Sequence, residues 1–225
     1  MYLCTRKTIG NFAKITEQTI GMAKENKVVN IINQTVTEAE NGSLFFNNSF
    51  TEFDDEYVGQ ILSDLAEQGV IHRLSRGVYL KAEKTRFGLV YPPIEEIAAA
   101  IARRDNAQVI PTGATAQNLL GLSEQVPMNA VFLTSGSARK IQLGGRTITF
   151  RRAVPKNFAI KGRYTSLIVQ ALKYIGEGNM TEEDYAHIKE IIKTHQEPET
   201  IDGDLAAMPT WVRRLFLKTL NEAKV

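Results

Sequence analysis

Four apolar side chains, Val58, Ile61, Leu62 and Leu65, recur at i, i+3, i+4 and i+7, and that spacing lines one face of an α-helix. Asp54 or Asp55 is placed to cap the start of that helix, and Gly69 to close it as a C′ residue. The segment that follows, VIHRLSRGVYLK (70–81), predicts a β-hairpin that turns once at Gly77. Ahead of both, residues 15–41 carry Val28, Ile31, Ile32, Thr35, Val36 and Ala39 near a 3.6 period, which predicts another helix ended by ENGS. Between the two helices LFFNNSF (44–50) is too short for much regular structure, yet rich enough in Phe to pack beneath both. Helix, short connection, helix and hairpin in that order predict a winged helix-turn-helix.

The apolar period breaks over EKTRFGLVYPPIEE (83–96), where charge, Gly and two prolines collect. Residues 1–90 are therefore expected to form the winged-helix domain with an N-terminal helical extension, and 91–225 a second domain. In the second domain, Ile94, Ile97, Ala98 and Ile101 mark a helix after Pro92 and Pro93. AQVIPTG (107–113) and NAVFLTSG (129–136) read as strands around a short helix at 114–122. RKIQLGGRTITFRR (139–152) reads as a hairpin whose Gly144 and Gly145 both supply the positive φ of a two-residue turn. Helices are expected at about 164–176, 181–195 and 209–223. The fold class is thus α+β, a winged helix-turn-helix followed by an α/β domain with a small mixed sheet and a helical C-terminus.

The formal net charge over 225 residues is only +2, so any anion-binding surface must come from local clustering. Cys4 is the single cysteine and the three histidines are scattered. No disulfide and no metal-ligand spacing follows, and no cofactor or metal is expected. No run approaches the roughly 18 apolar residues of a membrane span, and the N-terminus lacks a signal peptide's apolar core. A cytoplasmic protein with no membrane partner is expected.

Between residues 71 and 90 there are five Lys or Arg and one Glu. On the wing of a winged helix, Arg73, Arg76 and Lys81 would face phosphates. A basic hairpin is also a common way to keep a solvated edge strand from pairing with another sheet. The second helix opens with Glu52, Asp54, Asp55 and Glu56. These acids suit a helix N-terminus but repel phosphates, so base reading is expected one turn further in, at Tyr57, Gln60 and Ser63 or Asp64. Gln60 is the leading candidate because its amide can pair with adenine in two places.

A larger anomaly lies between Ser137 and Tyr164. Eight cations (Arg139, Lys140, Arg146, Arg151, Arg152, Lys156, Lys161 and Arg163) occur there without one Asp or Glu. Such a stretch suits a phosphate backbone or an acidic protein, or alternatively charges an exposed strand for solubility. No nucleophile motif, P-loop or dinucleotide fingerprint occurs, and no catalytic residue is assigned. TEEDYAHIKE (181–190) is explained by Thr181 capping an acidic first turn. Trp211 reads as a core anchor, with Arg213 and Arg214 on the open face of its helix. A phosphoryl-transfer enzyme would need clustered carboxylates for Mg²⁺ beside the basic surface, and none stands out. A protein-interaction module that binds an acidic partner without DNA remains an alternative.

The segments LFFNNSF and VGQILSDLAEQGVIHRLSRGVYLK resemble the N-terminal winged helix of the AbiEi-type antitoxin family, with its Phe-Phe-x-x-x-Phe, Leu-x-x-x-Gly and Arg-Leu-x-Arg-Gly-Val-Tyr elements. Residues 92–152 are similar to that family's second domain in their Pro-Thr-Gly-Ala, Gln-Val-Pro and Arg-Lys-Ile elements, and the resemblance covers about residues 44–175. It implies a non-enzymatic, DNA-binding antitoxin of a type IV toxin–antitoxin, or abortive-infection, system. Such a protein represses its own operon and opposes a nucleotidyltransferase-like toxin, indirectly. Carried over by motif, Arg73, Ser75, Arg76 and Tyr79 match the family's wing, while Lys140, Arg146 and Arg151 fall in its basic second domain. Operator DNA with inverted repeats is the implied partner, taking two copies of a monomer or weak dimer.

Overall fold

The computed structural model describes residues 26–195 and 197–222. The first part of the helix expected over 15–41, and the extension ahead of it, lie outside the described residues. The chain divides into two compact units, residues up to Tyr91 and residues from Pro92 onward.

In the first unit, α1 is helical over the described residues 26–38. It is followed by β1 (Leu44–Phe46), a 3-10 turn (Asn47–Ser49), α2 (Asp55–Glu67), β2 (His72–Ser75) and β3 (Val78–Leu80). LFFNNSF thus holds more order than its length suggests. Leu44, Phe45 and Phe46 pair antiparallel with Leu80, Tyr79 and Val78, giving a sheet in the order β1-β3-β2. Three residues are too few for a periodic signal, and it is pairing with β3 that makes them a strand.

The ends of α2 follow from its sequence. The Asp54 carboxylate accepts from the Glu56 and Tyr57 amides at 3.0 Å. At the other end, Gly69 takes φ +76°. Its amide bonds Ala66 O and the Val70 amide bonds Leu65 O, a Schellman closure that a residue with Cβ would strain. Val58 and Leu62 are fully buried and Ile61 and Leu65 nearly so, against Ile32 and Val36 of α1 and Phe45 and Tyr79 of the sheet. Each such burial contributes about 1.5–3 kcal/mol, so this face fixes how α2 sits on the hairpin. Gly59 lets the 3-10 turn approach, since a Cβ there would meet the Asn47 amide at 2.6 Å.

Where the sequence suggests only a broken period, Glu83–Thr85 and Gly88–Val90 form a second hairpin, β4 and β5, that pairs with no other strand among the described residues. Two three-residue strands leave too short an alternation to be read as such.

The second unit begins with α3 (Ile94–Arg104), then β6 (Val109–Thr112), α4 (Ala114–Leu119), β7 (Asn129–Thr134), β8 (Arg139–Leu143) and β9 (Arg146–Arg152). The sheet order is β6-β7-β9-β8, with β7 and β9 parallel and the other pairs antiparallel. It is the small mixed sheet expected. Of the glycine pair only Gly144 takes a positive φ, 59°, so the turn needs one left-handed residue where two were expected. Helices α5 (Arg163–Ile175), α6 (Glu182–Thr194), α7 (Ile201–Ala207) and α8 (Thr210–Glu222) follow.

Ile168, Val169, Leu172, Ile188, Ile192, Val212 and Phe216 form the buried core of these helices, with Trp211 packed at its edge. Thr181 and Asp184 close a reciprocal capping box on α6. Helix α7 was not expected, because seven residues with a Gly and two Asp carry no clear period. The chain is a mixed α+β protein with a helical C-terminus, and no described helix is long and apolar enough to cross a membrane.

Candidate nucleic-acid interface

The wing is the β2–β3 hairpin. Its pairing sets Arg73 opposite Tyr79 and Ser75 opposite Val78, with an irregularity between Arg73 and Ser75. Only Gly77 in the intervening turn has a positive φ, +68°. Arg73 and Arg76 are exposed and Ser75 is half-buried. Neither arginine forms an ion pair among the described residues, so both guanidinium groups are available to an incoming anion.

Two expected wing contacts are used inside the unit. Tyr79 is 3% exposed, lies opposite Phe45 across the sheet, and donates its hydroxyl to Gly59 O at 3.4 Å. It sits in the middle strand of the sheet, all three of whose residues are buried, and no surface remains for DNA. Lys81 sends its ammonium to Thr37 O at 2.6 Å and Ala39 O at 2.7 Å. These carbonyls lie at the C-terminal end of α1, where a cation satisfies orphan acceptors and the negative end of the helix dipole. Lys81→Met keeps the aliphatic stem and removes both bonds, so a loss of about 1.5–3 kcal/mol is expected in chemical denaturation. An unchanged midpoint would return Lys81 to the free surface cations.

On α2, Tyr57 is half-buried against the core, Ser63 is half-buried, and Gln60 is exposed. The residues that α2 leaves exposed are Asp55, Glu56, Gln60, Asp64 and Glu67. Four carboxylates and no cation on this face make it repel a phosphate backbone, and Gln60 stands alone among them as a base-reading group.

The eight cations of the 137–164 stretch do not form one surface. Register decides this, since residues paired across strands share a face and neighbours along a strand alternate. Lys140 pairs with Thr149, which puts Lys140 and Arg151 on one face. Arg139 pairs with Phe150 and Arg146 with Leu143, which puts these two, with Arg152, on the opposite side. Arg139 donates to Asp105 at 2.6 Å, and Asp105 also binds Arg104 at 2.7 Å. Arg146 is half-buried with its Nε enclosed. The Lys161 ammonium bonds Phe158 O at 3.0 Å. Lys140, Arg151, Arg152, Lys156, Lys161 and Arg163 are exposed.

The stretch is acid-free only along the chain. Asp204 accepts from the Lys161 and Gly162 amides at 2.7 and 2.8 Å. Glu197 accepts from the Arg163, Tyr164 and Thr165 amides at 2.6, 3.2 and 3.0 Å, capping α5. His195 stacks on Tyr164 with ring centroids 3.8 Å apart. A cation that the sequence does not single out is Lys173, whose pKa is lowered by burial and then by the neighbouring Lys156 charge; it lies on α5, where nothing in the sequence links it to Lys156.

Arg213 was expected on an open helix face, but it is half-buried and donates to Ala206 O and Met208 O. Arg214 is exposed and meets Glu177 at 3.4 Å. A cavity of about 520 Å³ in this unit is walled by Ala98, Ile110, Phe132, Phe158 and Leu167, with Lys161 in its lining. Among the described residues no group of three His, Cys, Asp or Glu is placed to hold a metal ion.

Fold and site together define a winged-helix unit with two exposed wing arginines, joined in sequence to a small mixed-sheet unit with a helical end. Residues 31–200 match DUF6088, a family of unknown function, and the chain belongs to that family. No curated protein matches it. It is also similar to the crystal structure of the RV2827C protein from Mycobacterium tuberculosis, with 12% identity over 86% of this chain and 75% of that one and a TM-score of 0.44.

Proposed function

We propose that this chain is a DNA-binding antitoxin of the AbiEi type, a non-enzymatic repressor of its own operon that opposes a nucleotidyltransferase-like toxin. The observation that carries the proposal is the wing: Arg73 and Arg76 are exposed and, among the described residues, without ion pairs on a hairpin that packs behind the buried face of α2. The motif resemblance over residues 44–175 supports the same assignment. Affinity then comes from the wing, because the acids of α2 hold that helix off the phosphates and leave Gln60 to touch bases.

The test is a mobility-shift titration of the full chain on the duplex upstream of its gene, repeated at several salt concentrations. Arg73→Ala with Arg76→Ala is expected to weaken binding to all duplexes alike and to reduce the slope of log affinity against log salt by roughly 2, about 0.9 for each phosphate no longer neutralised. A slope equal to that of the unaltered chain would remove the wing from the interface. Lys140 and Arg151, together on one exposed sheet face, favour a second role for the other unit, the binding of an acidic protein partner. DNA that fails to shift while such a partner is retained would leave that role alone standing.

A further inference from the structure

The β4–β5 hairpin ends in a two-residue loop, Arg86 and Phe87, between the paired Thr85 and Gly88. Phe87 is 85% exposed, more than any other large apolar side chain among the described residues. Folding therefore gains almost nothing from the ring. The loop nevertheless presents it in a defined way. Thr85 Oγ1 accepts from the Phe87 amide at 3.2 Å and donates to Gly88 O at 2.9 Å, bracing the turn from both sides. The Arg86 guanidinium lies 4.5 Å from the ring centroid, and Lys84 is exposed on the same hairpin. Neither cation forms an ion pair among the described residues. An aromatic ring at the tip of a braced ribbon, with cations beside it and behind it, matches a ligand that offers both anionic groups and flat apolar surfaces.

We propose that this hairpin is a second DNA arm, in which Lys84 and Arg86 take backbone phosphates and Phe87 enters the minor groove as a wedge between base pairs. Apolar wedges at such tips unstack one step and kink the duplex, which brings more of it against the protein. The chemistry complements the first unit as a whole. Its helix α2 is acidic where it is exposed, so apart from Lys27 at the start of the described part of α1 the exposed cations of this unit are on hairpins: Arg73 and Arg76 on one, Lys84 and Arg86 with Phe87 on the other. The proposal rests on DNA binding by this unit and adds a deformation of the DNA that a wing alone does not require.

The experiment uses the full chain and the upstream duplex carrying a fluorophore at each end, so that affinity and bending are read together by energy transfer. The unaltered chain is expected to shorten the end-to-end distance on binding. Phe87→Ala should abolish that shortening and weaken binding about tenfold, in line with the removal of one base-stacking ring. Phe87→Leu, still an apolar wedge, should keep most of the bend. Arg86→Ala should lower the salt slope by about 1 and leave the bend in place. Phe87 is too exposed for its truncation to unfold the unit, and circular dichroism checks this.

If Phe87→Ala binds and bends DNA as the unaltered chain does while Arg73→Ala with Arg76→Ala weakens binding, the wedge is wrong and DNA binding stands. If the unaltered chain binds no duplex, both fall. If Phe87→Ala leaves DNA binding and bending intact but no longer holds a protein partner, the tip is a protein contact and the wedge is overturned.

Discussion

Asp204→Ala is expected to lower the unfolding free energy by about 3 kcal/mol, although the residue lies on a helix of only seven residues. The carboxylate is 1% exposed and both of its oxygens are used, on the Lys161 and Gly162 amides. Hydrogen bonds to a charged group contribute about 1.5–3 kcal/mol each, and a buried donor left unpaired costs about 1–3 kcal/mol. The desolvation that the carboxylate no longer suffers offsets part of the sum, which leaves about 3 kcal/mol.

The same junction takes three further amide bonds from Glu197, and a Cβ at Gly162 would overlap both carboxylates. The chain between the sheet and α5 is therefore held by two acids that come from beyond α6. In a urea titration followed by helical circular dichroism, the midpoint of the second unit should fall by roughly 1–2 M. Asp202→Ala, exposed on the same helix, should move it little, since surface substitutions stay within about 0.5 kcal/mol. Equal shifts for the two variants would show that charge on α7, and not the clamp, sets stability.

Those two carboxylates also mark the limit of what the sequence discloses. Helix α2 was legible from end to end because its determinants are local: a four-residue apolar stripe, an Asp before it and a Gly after it. The wing turn was legible for the same reason. The uninterrupted positive charge over 137–164 was real as a sequence feature, but charge acts through space, and Asp105, Glu197 and Asp204 reach it from distant segments. Lys81 has the residue type and place of a phosphate contact. What decides its role is a helix end more than forty residues earlier, which no spacing rule marks. Tyr79 is hidden for the same reason, since the strand that covers it, with Phe45 opposite, lies 34 residues earlier and carries no periodic signal of its own. The Arg86–Phe87 tip passed as part of a linker because its strands are three residues long.

Register changes which residues test the proposed role of the second unit against a toxin. Lys140, Arg146 and Arg151 fall close together in sequence, but Arg146 points to the side that carries Ile141, Ile148 and Phe150, and its Nε is enclosed. Reversing it would bury a carboxylate and confound function with folding. Lys140 and Arg151 share the other face with Thr147, Thr149, Gln142 and Asn129 and with the half-buried Val131 and Leu133. Thr149 donates to Asn129 at 2.7 Å there, and Thr147 donates to Gln142 at 3.0 Å. The hydroxyls and amides are thus occupied with one another, and of the polar groups on this face the two cations are left to meet a partner. Lys140→Glu with Arg151→Glu is expected to abolish rescue of cells that express the cognate toxin, while the thermal midpoint stays within a few degrees, because exposed charges contribute little to stability. DNA affinity should fall less than rescue, since the wing arginines are unaltered. Full rescue by the double variant would remove this face from antagonism. A drop in DNA binding as large as the drop in rescue would instead make the sheet face part of the DNA interface, with the two charges contributing to the salt slope alongside Arg73 and Arg76.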